Sequence, residues 1–123
     1  MATVSWDIIL VPEVHDWFLA LDDLSASLVR DAIELLAERG PALGRPAADR
    51  ITGSNLHNLK ELRPGSAGRT EIRILYIFDP RRNAVLLVAG DKAGAWTRWY
   101  RDAIKQAEER YARYLDTPPE EIR

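Results

Sequence analysis

The stretch that most constrains the fold is residues 84–89, the uninterrupted apolar run Ala-Val-Leu-Leu-Val-Ala. Turn-forming residues precede it at 79–83, and a Gly-Asp-Lys segment follows it at 90–92. A short apolar run between turn signals, rich in branched side chains, is typical of a strand that is buried on both faces. The run therefore predicts the central strand of a sheet.

Three other segments predict strands. Residues 3–11 combine β-branched and aromatic side chains and stop at Pro12, which favours a first strand there. Residues 57–63 and 70–79 predict two strands joined by a flexible Pro-Gly-Ser-Ala-Gly hairpin tip, and a tight turn at 79–83 leads into the central strand. The last three strands then form an antiparallel meander.

Apolar spacing predicts three helices. Pro12 opens the first, because a proline at the first helical position loses no hydrogen bond. The pair Asp22-Asp23 caps the second helix, which spans 24–39 ahead of a Gly-Pro stop, and the third helix spans 95–115. The residues expected on the buried sides of the three helices are, in order, Val14, Trp17, Phe18 and Leu21; Leu24, Leu28, Ala32, Leu35 and Leu36; and Trp96, Trp99, Tyr100, Ala103, Ala107, Tyr111 and Leu115.

The order of elements is β-α-α-β-β-β-α, which indicates an α+β fold: an antiparallel meander with the helices packed on one face of the sheet. Residues 40–55 show no sustained period and hold several Gly and Pro residues, so we expect an ordered surface loop there. A chain of 123 residues has the size of one domain. We place that domain at residues 1–116 and expect a frayed tail at 117–123.

The composition excludes several classes of site. The chain has no cysteine, which rules out disulfides, thiolate zinc sites, iron–sulfur clusters and a cysteine nucleophile. The short motifs of phosphate-binding loops, dinucleotide folds, serine hydrolases and zinc proteases are missing. The only two histidines are His15 and His57, so neither a metal site nor a cofactor is predicted. His57, at the start of a predicted strand, is either a general base or simply a solvated strand-end residue.

Charge is distributed unevenly along the chain. Residues 1–39 carry eight carboxylates against two arginines, a net charge of −6, whereas residues 40–101 carry eleven Lys and Arg residues against five acids, a net charge of +6. The rest, 102–123, brings the total to −2. This asymmetry indicates a face built for an anionic partner, although a well-mixed soluble surface explains the arithmetic equally well.

Strand alternation places two arginines together. Leu59, Glu61 and Arg63 share one face of their strand. In the next strand the apolar residues 72, 74, 76 and 78 share one face, so Glu71 and Arg73 lie on the other face. If the hairpin pairs as predicted, Arg63 and Arg73 are neighbours on a sheet face that no helix covers. They would repel each other unless an anion lies between them, or unless Glu61 and Glu71 simply pair with them.

The sequence resembles the RelE/ParE toxin superfamily, in particular its HigB-like, phage-derived branch. The resemblance is carried by Leu-Lys-Glu-Leu-Arg at 59–63, by Arg-Thr-Glu-Ile-Arg-Ile-Leu-Tyr at 69–76, by Gly-Asp-Lys at 90–92 and by the terminal helix from 102 to 114. It covers nearly the whole chain in the same order of elements. It implies a small cytoplasmic toxin of a type II toxin–antitoxin system, paired with a helix-turn-helix antitoxin.

The resemblance also implies an activity. RelE-like and HigB-like toxins cleave mRNA without a metal, usually on the ribosome, by driving a ribose 2′-OH onto the adjacent phosphate. By position, Arg73 matches the family's arginine on the middle strand, Arg63 its neighbour and Lys92 the basic residue after the last strand. Glu61 stands where RelE has a lysine and could supply a base. The residues expected to hold flanking RNA are Lys60, Arg69, Arg81 and Arg82.

Two alternatives remain open at this point. A ParE-like protein of the same topology would bind DNA gyrase without any chemistry of its own. A catalytically silent binding module is also compatible, because Leu59 and Glu61 occupy strand positions that are lysines in RelE. The family's C-terminal aromatic residue has no single equivalent, and the candidates are Trp96, Trp99 and Tyr100. Because no apolar run approaches 18 residues, we expect no membrane anchor.

Overall fold

A computed structural model of the chain describes residues 5–117, which form one five-stranded sheet and three α-helices. The elements are β1 (Asp7–Leu10), α1 (Pro12–Leu19), α2 (Asp23–Arg39), β2 (Ala48–Arg50), β3 (Lys60–Leu62), β4 (Ile72–Phe78), β5 (Asn83–Asp91) and α3 (Trp96–Asp116). No helix within the described residues combines the length and the apolar character needed to cross a membrane.

The sheet has the strand order β1-β5-β4-β3-β2. Strands β2 to β5 form an antiparallel meander, and β1 pairs with β5 in parallel. The α+β class, the meander and the internal position of β5 are therefore confirmed. Strand β2 lies in the segment that we predicted as a loop. It has only three residues between Gly- and Pro-rich flanks, so no period reveals it, and its pairing with β3 alone defines it.

Local signals fix the ends of the first two helices. Pro12 begins α1, as predicted. The Asp22 carboxylate accepts a hydrogen bond of 3.2 Å from the Ser25 backbone N–H and caps α2. Gly40 ends α2 with a positive φ of 54°, and a Cβ at this position would overlap the Trp6 indole.

Helices cover both faces of the sheet. Successive residues 74–77 of β4 and 84–88 of β5 are all buried, and neighbouring strand residues point to opposite faces. On one face, Trp6 packs between the end of α2 and the Phe78 ring. On the other face, α3 places Trp99 against Gly90. The prediction that all helices share one face is wrong, because apolar residues of β4 and β5 on the second face also require cover.

Helix phase was predicted with one-residue errors. The side chains of Leu24, Trp96 and Leu115, expected to be buried, are each more than half exposed. Leu36 of α2 and Ala103 and Ala107 of α3 are buried as predicted. The other buried residues are Ser25 and Val29 in place of Leu24 and Leu28, and Tyr114 in place of Leu115. The single domain at 1–116 remains a prediction. Residues 118–123 of the predicted tail lie outside the described residues, and so do residues 1–4, which include the start of the predicted first strand.

A β-bulge in β5 is stabilised by a side chain from α3. The register passes from Leu75 opposite Val88 to Tyr76 opposite Leu86, which leaves Leu87 as the extra residue. Arg110 Nη1 donates a hydrogen bond of 2.9 Å to the Leu87 carbonyl. The Arg110 guanidinium therefore satisfies a backbone acceptor that the bulge removes from the ladder.

Arg110 and its neighbour Arg113 predict a measurable contrast. Arg110→Met removes the charged donor to the Leu87 carbonyl and a weaker 3.6 Å contact of Nε with Glu13, and we expect a loss of about 2 kcal/mol in the free energy of unfolding. Arg113→Met removes only an exposed ion pair with Glu13, and we expect a loss below about 1 kcal/mol. Urea denaturation followed by circular dichroism measures both values, and equal losses would contradict the role given to Arg110.

The Glu13–Arg113 pair also predicts a dependence on pH. Hydrogen bonding from Arg113 lowers the pKa of Glu13 to about 2 in the folded protein, from 4.5. Such a carboxylate stabilises the fold above its unfolded pKa and stops doing so as the pH falls through its folded pKa. The difference in unfolding free energy between wild type and Arg113→Met should therefore be largest above about pH 5 and shrink toward about pH 2. A pH-independent difference in urea titrations would refute this assignment.

Candidate functional site

Three cationic side chains from three consecutive segments meet at one end of the sheet. The β3–β4 register ends with Leu62 opposite Ile74, and the residues next to this pair, Arg63 and Arg73, both contact Glu61. Lys92 follows β5, and its backbone N–H donates a hydrogen bond of 3.1 Å to the Glu71 carbonyl just before β4. We refer to Arg63, Arg73 and Lys92 together as the basic cluster.

The Glu61 carboxylate lies at the centre of the basic cluster and is only 4% exposed. Arg63 Nη2 donates a hydrogen bond of 2.9 Å to Glu61 Oε2, and Arg73 Nε lies 3.6 Å from Oε1. From α3, the Tyr100 hydroxyl donates a hydrogen bond of 2.6 Å to Oε1. Arg63 Nη2 also contacts Asp49 Oδ2 of β2 at 3.3 Å. One carboxylate thus connects β3, β4 and α3.

Arg73 is less fully satisfied than Arg63. Its Nη1 donates a hydrogen bond of 2.8 Å to the carbonyl of its neighbour Ile72. Its Nε is buried and makes no hydrogen bond within the part of the chain that the structure describes. The Arg73 side chain as a whole is 16% exposed. This geometry leaves Arg73 with donor capacity for an anionic ligand.

Lys92 is held among aromatic rings. The whole Lys92 residue is only 3% exposed. Its Nζ lies 3.3 Å from the centroid of the Trp96 ring and 5.2 Å from the centroid of the Tyr100 ring. Burial, together with the neighbouring charge of Arg73, lowers the pKa of the Lys92 ammonium. Trp96 is fixed in turn, because its Nε1 donates a hydrogen bond of 3.1 Å to Glu71 Oε2.

The protonation of the site follows from these contacts. Burial and the hydrogen bond to Glu61 raise the pKa of Tyr100 to about 12, so its hydroxyl keeps its proton at neutral pH. The hydrogen bond to Glu61 also raises the pKa of the Arg63 guanidinium. The site therefore presents three cations, one central carboxylate and one neutral hydroxyl donor. No three His, Asp or Glu side chains of residues 5–117 group in a way that could hold a metal ion.

The structure brings together the four residues predicted as catalytic, but not on an open surface. Arg63 and Arg73 are neighbours, as alternation predicted, while the first turns of α3 lie over them. The prediction of an uncovered face is therefore wrong. Of the two carboxylates expected to pair with the arginines, Glu61 pairs with both of them. Glu71 accepts a hydrogen bond from Trp96 instead.

The residues predicted to hold flanking RNA are dispersed. Arg69 is exposed in the loop between β3 and β4, near the cluster's end of the sheet. Arg81 and Arg82 occupy the β4–β5 turn, about 20 Å from Arg73 along the strand, and Arg82 lies over the Trp6 ring at 4.4 Å. Lys60 points to the opposite face, where Nζ lies 5.6 Å from the Phe78 ring centroid.

Two contributors were not identified from the sequence as parts of the carboxylate network. Asp49 lies within the predicted loop, so nothing linked it to Arg63. Tyr100 was assigned to the apolar stripe of α3 and named only as one of three aromatic candidates. Its hydroxyl was the available signal, because a tyrosine in a buried stripe requires a polar partner. His57 lies exposed in the loop before β3.

The central carboxylate predicts a large effect on stability. Glu61→Gln leaves two guanidinium groups facing each other in a largely buried site, and we expect the free energy of unfolding to fall by about 3 kcal/mol. Glu71→Gln alters only the contact with the exposed Trp96 indole and should cost less than about 1 kcal/mol. Thermal and urea denaturation of the two matched variants measure the difference, and near-equal stabilities would disprove the central role of Glu61.

Over residues 16–112 the chain matches the family described as phage derived protein Gp49-like (DUF891), and it belongs to that family. This membership confirms the resemblance to the phage-derived branch. The fold and the basic cluster described above are thus those of a Gp49-like protein.

Two relatives come from Mycobacterium tuberculosis (strain ATCC 25618 / H37Rv). The chain is 51% identical over 113 residues to the protein named "Putative toxin HigB2" and 49% identical over 108 residues to "Putative toxin HigB3". These alignments cover 89% and 88% of this chain. They cover 56% of the length of HigB2, so the chain spans little more than half of that relative, and 92% of the length of HigB3.

Proposed function

We propose that this protein is the toxin of a type II toxin–antitoxin pair and acts in the cytoplasm as a metal-independent mRNA endoribonuclease on translating ribosomes. The names of the two relatives and the membership of the Gp49-like family support the toxin role. The observation that supports the nuclease activity is that Arg63, Arg73 and the neutral Tyr100 hydroxyl all contact Glu61, with the Lys92 ammonium beside the Tyr100 ring.

These groups match the needs of phosphodiester cleavage by an internal nucleophile. The ribose 2′-oxygen forms a bond to phosphorus as the bond to the 5′-oxygen breaks, which leaves a 2′,3′-cyclic phosphate and a 5′-hydroxyl. Glu61 takes the 2′-OH proton, and Tyr100 donates a proton to the departing 5′-oxygen. The basic cluster neutralises the charge that develops on the phosphate oxygens, and guanidinium groups suit this task because their donor geometry matches phosphate.

The closed network at Glu61 sets a condition for this chemistry. Both carboxylate oxygens already accept hydrogen bonds, from Arg63 and from Tyr100. A phosphate entering the cluster competes with Glu61 for the guanidinium groups, and this competition frees a carboxylate oxygen for the 2′-OH. We expect the phosphate to bind at Arg73, whose side chain is partly exposed and whose Nε has no hydrogen-bond partner within the described residues.

Arg73 is the residue whose loss tests the proposal best. We expect Arg73→Gln to reduce mRNA cleavage in a translating extract by about 10²–10³ and to abolish growth arrest, because one donor to the transition-state charge is lost. Arg39→Gln removes an equal charge from the exposed end of α2 and serves as the matched control. Its cleavage rate should stay within about threefold of wild type, because surface substitutions far from the site change little.

Folding of Arg73→Gln is verified by its melting temperature before activity is compared. Undiminished cleavage by the folded variant would falsify the nuclease role of the cluster. Growth arrest by the wild-type protein with intact mRNA and with DNA-damage signalling would instead identify a gyrase-directed inhibitor.

A further inference from the structure

Strand β5 has a free edge near the basic cluster. Its neighbour β1 pairs only with residues 83–86, ending where Leu10 lies opposite Leu86. Strand β5 continues to Asp91. Beyond the bulge at Leu87, whose carbonyl is bound by Arg110, no strand of residues 5–117 pairs with the outer side of residues 88–91.

The orientation of the backbone groups on this edge follows from one hydrogen bond. The Lys92 N–H donates to the Glu71 carbonyl, so the backbone polar groups of Lys92 point toward the neighbouring segment of β4. Because these groups alternate along an antiparallel strand, those of Gly90 also point toward β4. The N–H and C=O of Ala89 and Asp91 therefore point outward, away from the sheet.

A groove runs beside this edge on the α3 side. It has a volume of about 270 Å³, and its walls are Val88 and Ala89 of the strand and one side of the first turns of α3. Trp99 and Ala103 supply apolar surface, while Arg98, Asp102 and Gln106 contribute polar groups. An extended polypeptide on the edge would direct every second side chain into this groove.

We propose that an extended segment of the antitoxin pairs with residues 88–91 as an added strand and inserts an apolar side chain into this groove. The inference rests on the toxin role proposed above and identifies the surface that the partner occupies. The outward donors and acceptors of Ala89 and Asp91, at a two-residue spacing, are complementary to a β-strand. Natural sheets rarely leave such an edge without cover.

The dimensions of the edge favour a flexible segment over a second copy of this chain. Four residues of strand extend over about 13 Å. A stable interface between two folded domains buries about 1,000 Å² or more, which so short an edge does not provide. A single extended segment needs only the edge and the adjoining groove, and it can continue across the surface beyond them.

Two substitutions test the edge and the groove separately, using the complex of this protein with the helix-turn-helix antitoxin that the resemblance to HigB-like toxins implies beside its gene. Ala89→Pro removes an outward N–H that β4 does not use, and a proline is tolerated at an edge position. Asp102→Trp fills the groove from an exposed position on α3. Each should raise the dissociation constant of the complex at least about tenfold. The matched control Ala89→Ser keeps the N–H and should bind as wild type does.

Hydrogen exchange provides a second measurement on the wild-type proteins. The amides of Ala89 and Asp91 should exchange at least about tenfold more slowly in the complex than in the toxin alone. Both variants should still arrest growth when expressed without the antitoxin, since neither residue belongs to the basic cluster. If Ala89→Pro does not fold, Asp102→Trp and the exchange rates decide the question.

The possible failures are distinguishable. Tight binding that neither substitution weakens, with unchanged amide exchange, would overturn the edge proposal and leave the toxin role intact. Slow exchange at Ala89 and Asp91 in a dimer of the toxin alone would show that a second copy occupies the edge and would also overturn it. A neighbouring protein that does not bind the wild-type toxin would overturn both the toxin role and this inference.

Discussion

The rest of the site depends on the contacts that the Glu61 carboxylate makes with its neighbours. This carboxylate is almost fully buried, and it would be costly to bury without partners. Arg63 from the end of β3, Arg73 from β4 and Tyr100 from α3 all meet it, so one charge fixes the relative positions of two strands and a helix. The same contact prevents the mutual repulsion of two neighbouring guanidinium groups.

This arrangement links stability to function through a shared set of groups. The cations that stabilise Glu61 in the free protein are the ones proposed to bind a phosphate. Under that proposal, a phosphate would replace Glu61 as the anionic partner of the guanidinium groups without a large rearrangement of the cluster. Lys92, desolvated between Trp96 and Tyr100, adds a third positive charge close by. The free edge of β5 lies near this end of the sheet, so a strand bound there would lie close to the cluster.

Sequence patterns predicted most elements because those elements have local causes. The apolar run at 84–89 requires a buried strand, Pro12 and Asp22 begin helices, and Gly40 ends one through a positive φ. Strand β2 was not predicted, because three residues have no detectable period and exist as a strand only through pairing with β3. The exposed Leu24 and Trp96 show a similar limit, since helix phase depends on which neighbour packs against the helix.

By itself, the sequence determined the α+β class, the order of the elements other than β2, and the proximity of Arg63 and Arg73, because strand alternation and hairpin pairing are local rules. The family resemblance added the prediction that Arg63, Arg73, Lys92 and Glu61 form the site. Only the tertiary structure decided that α3 crosses the face bearing Glu61, that Tyr100 reaches this carboxylate, and that Asp49 joins the network. These contacts connect residues far apart in the chain, and they arise from the need to cover apolar residues on both sides of β4 and β5, which no local pattern encodes.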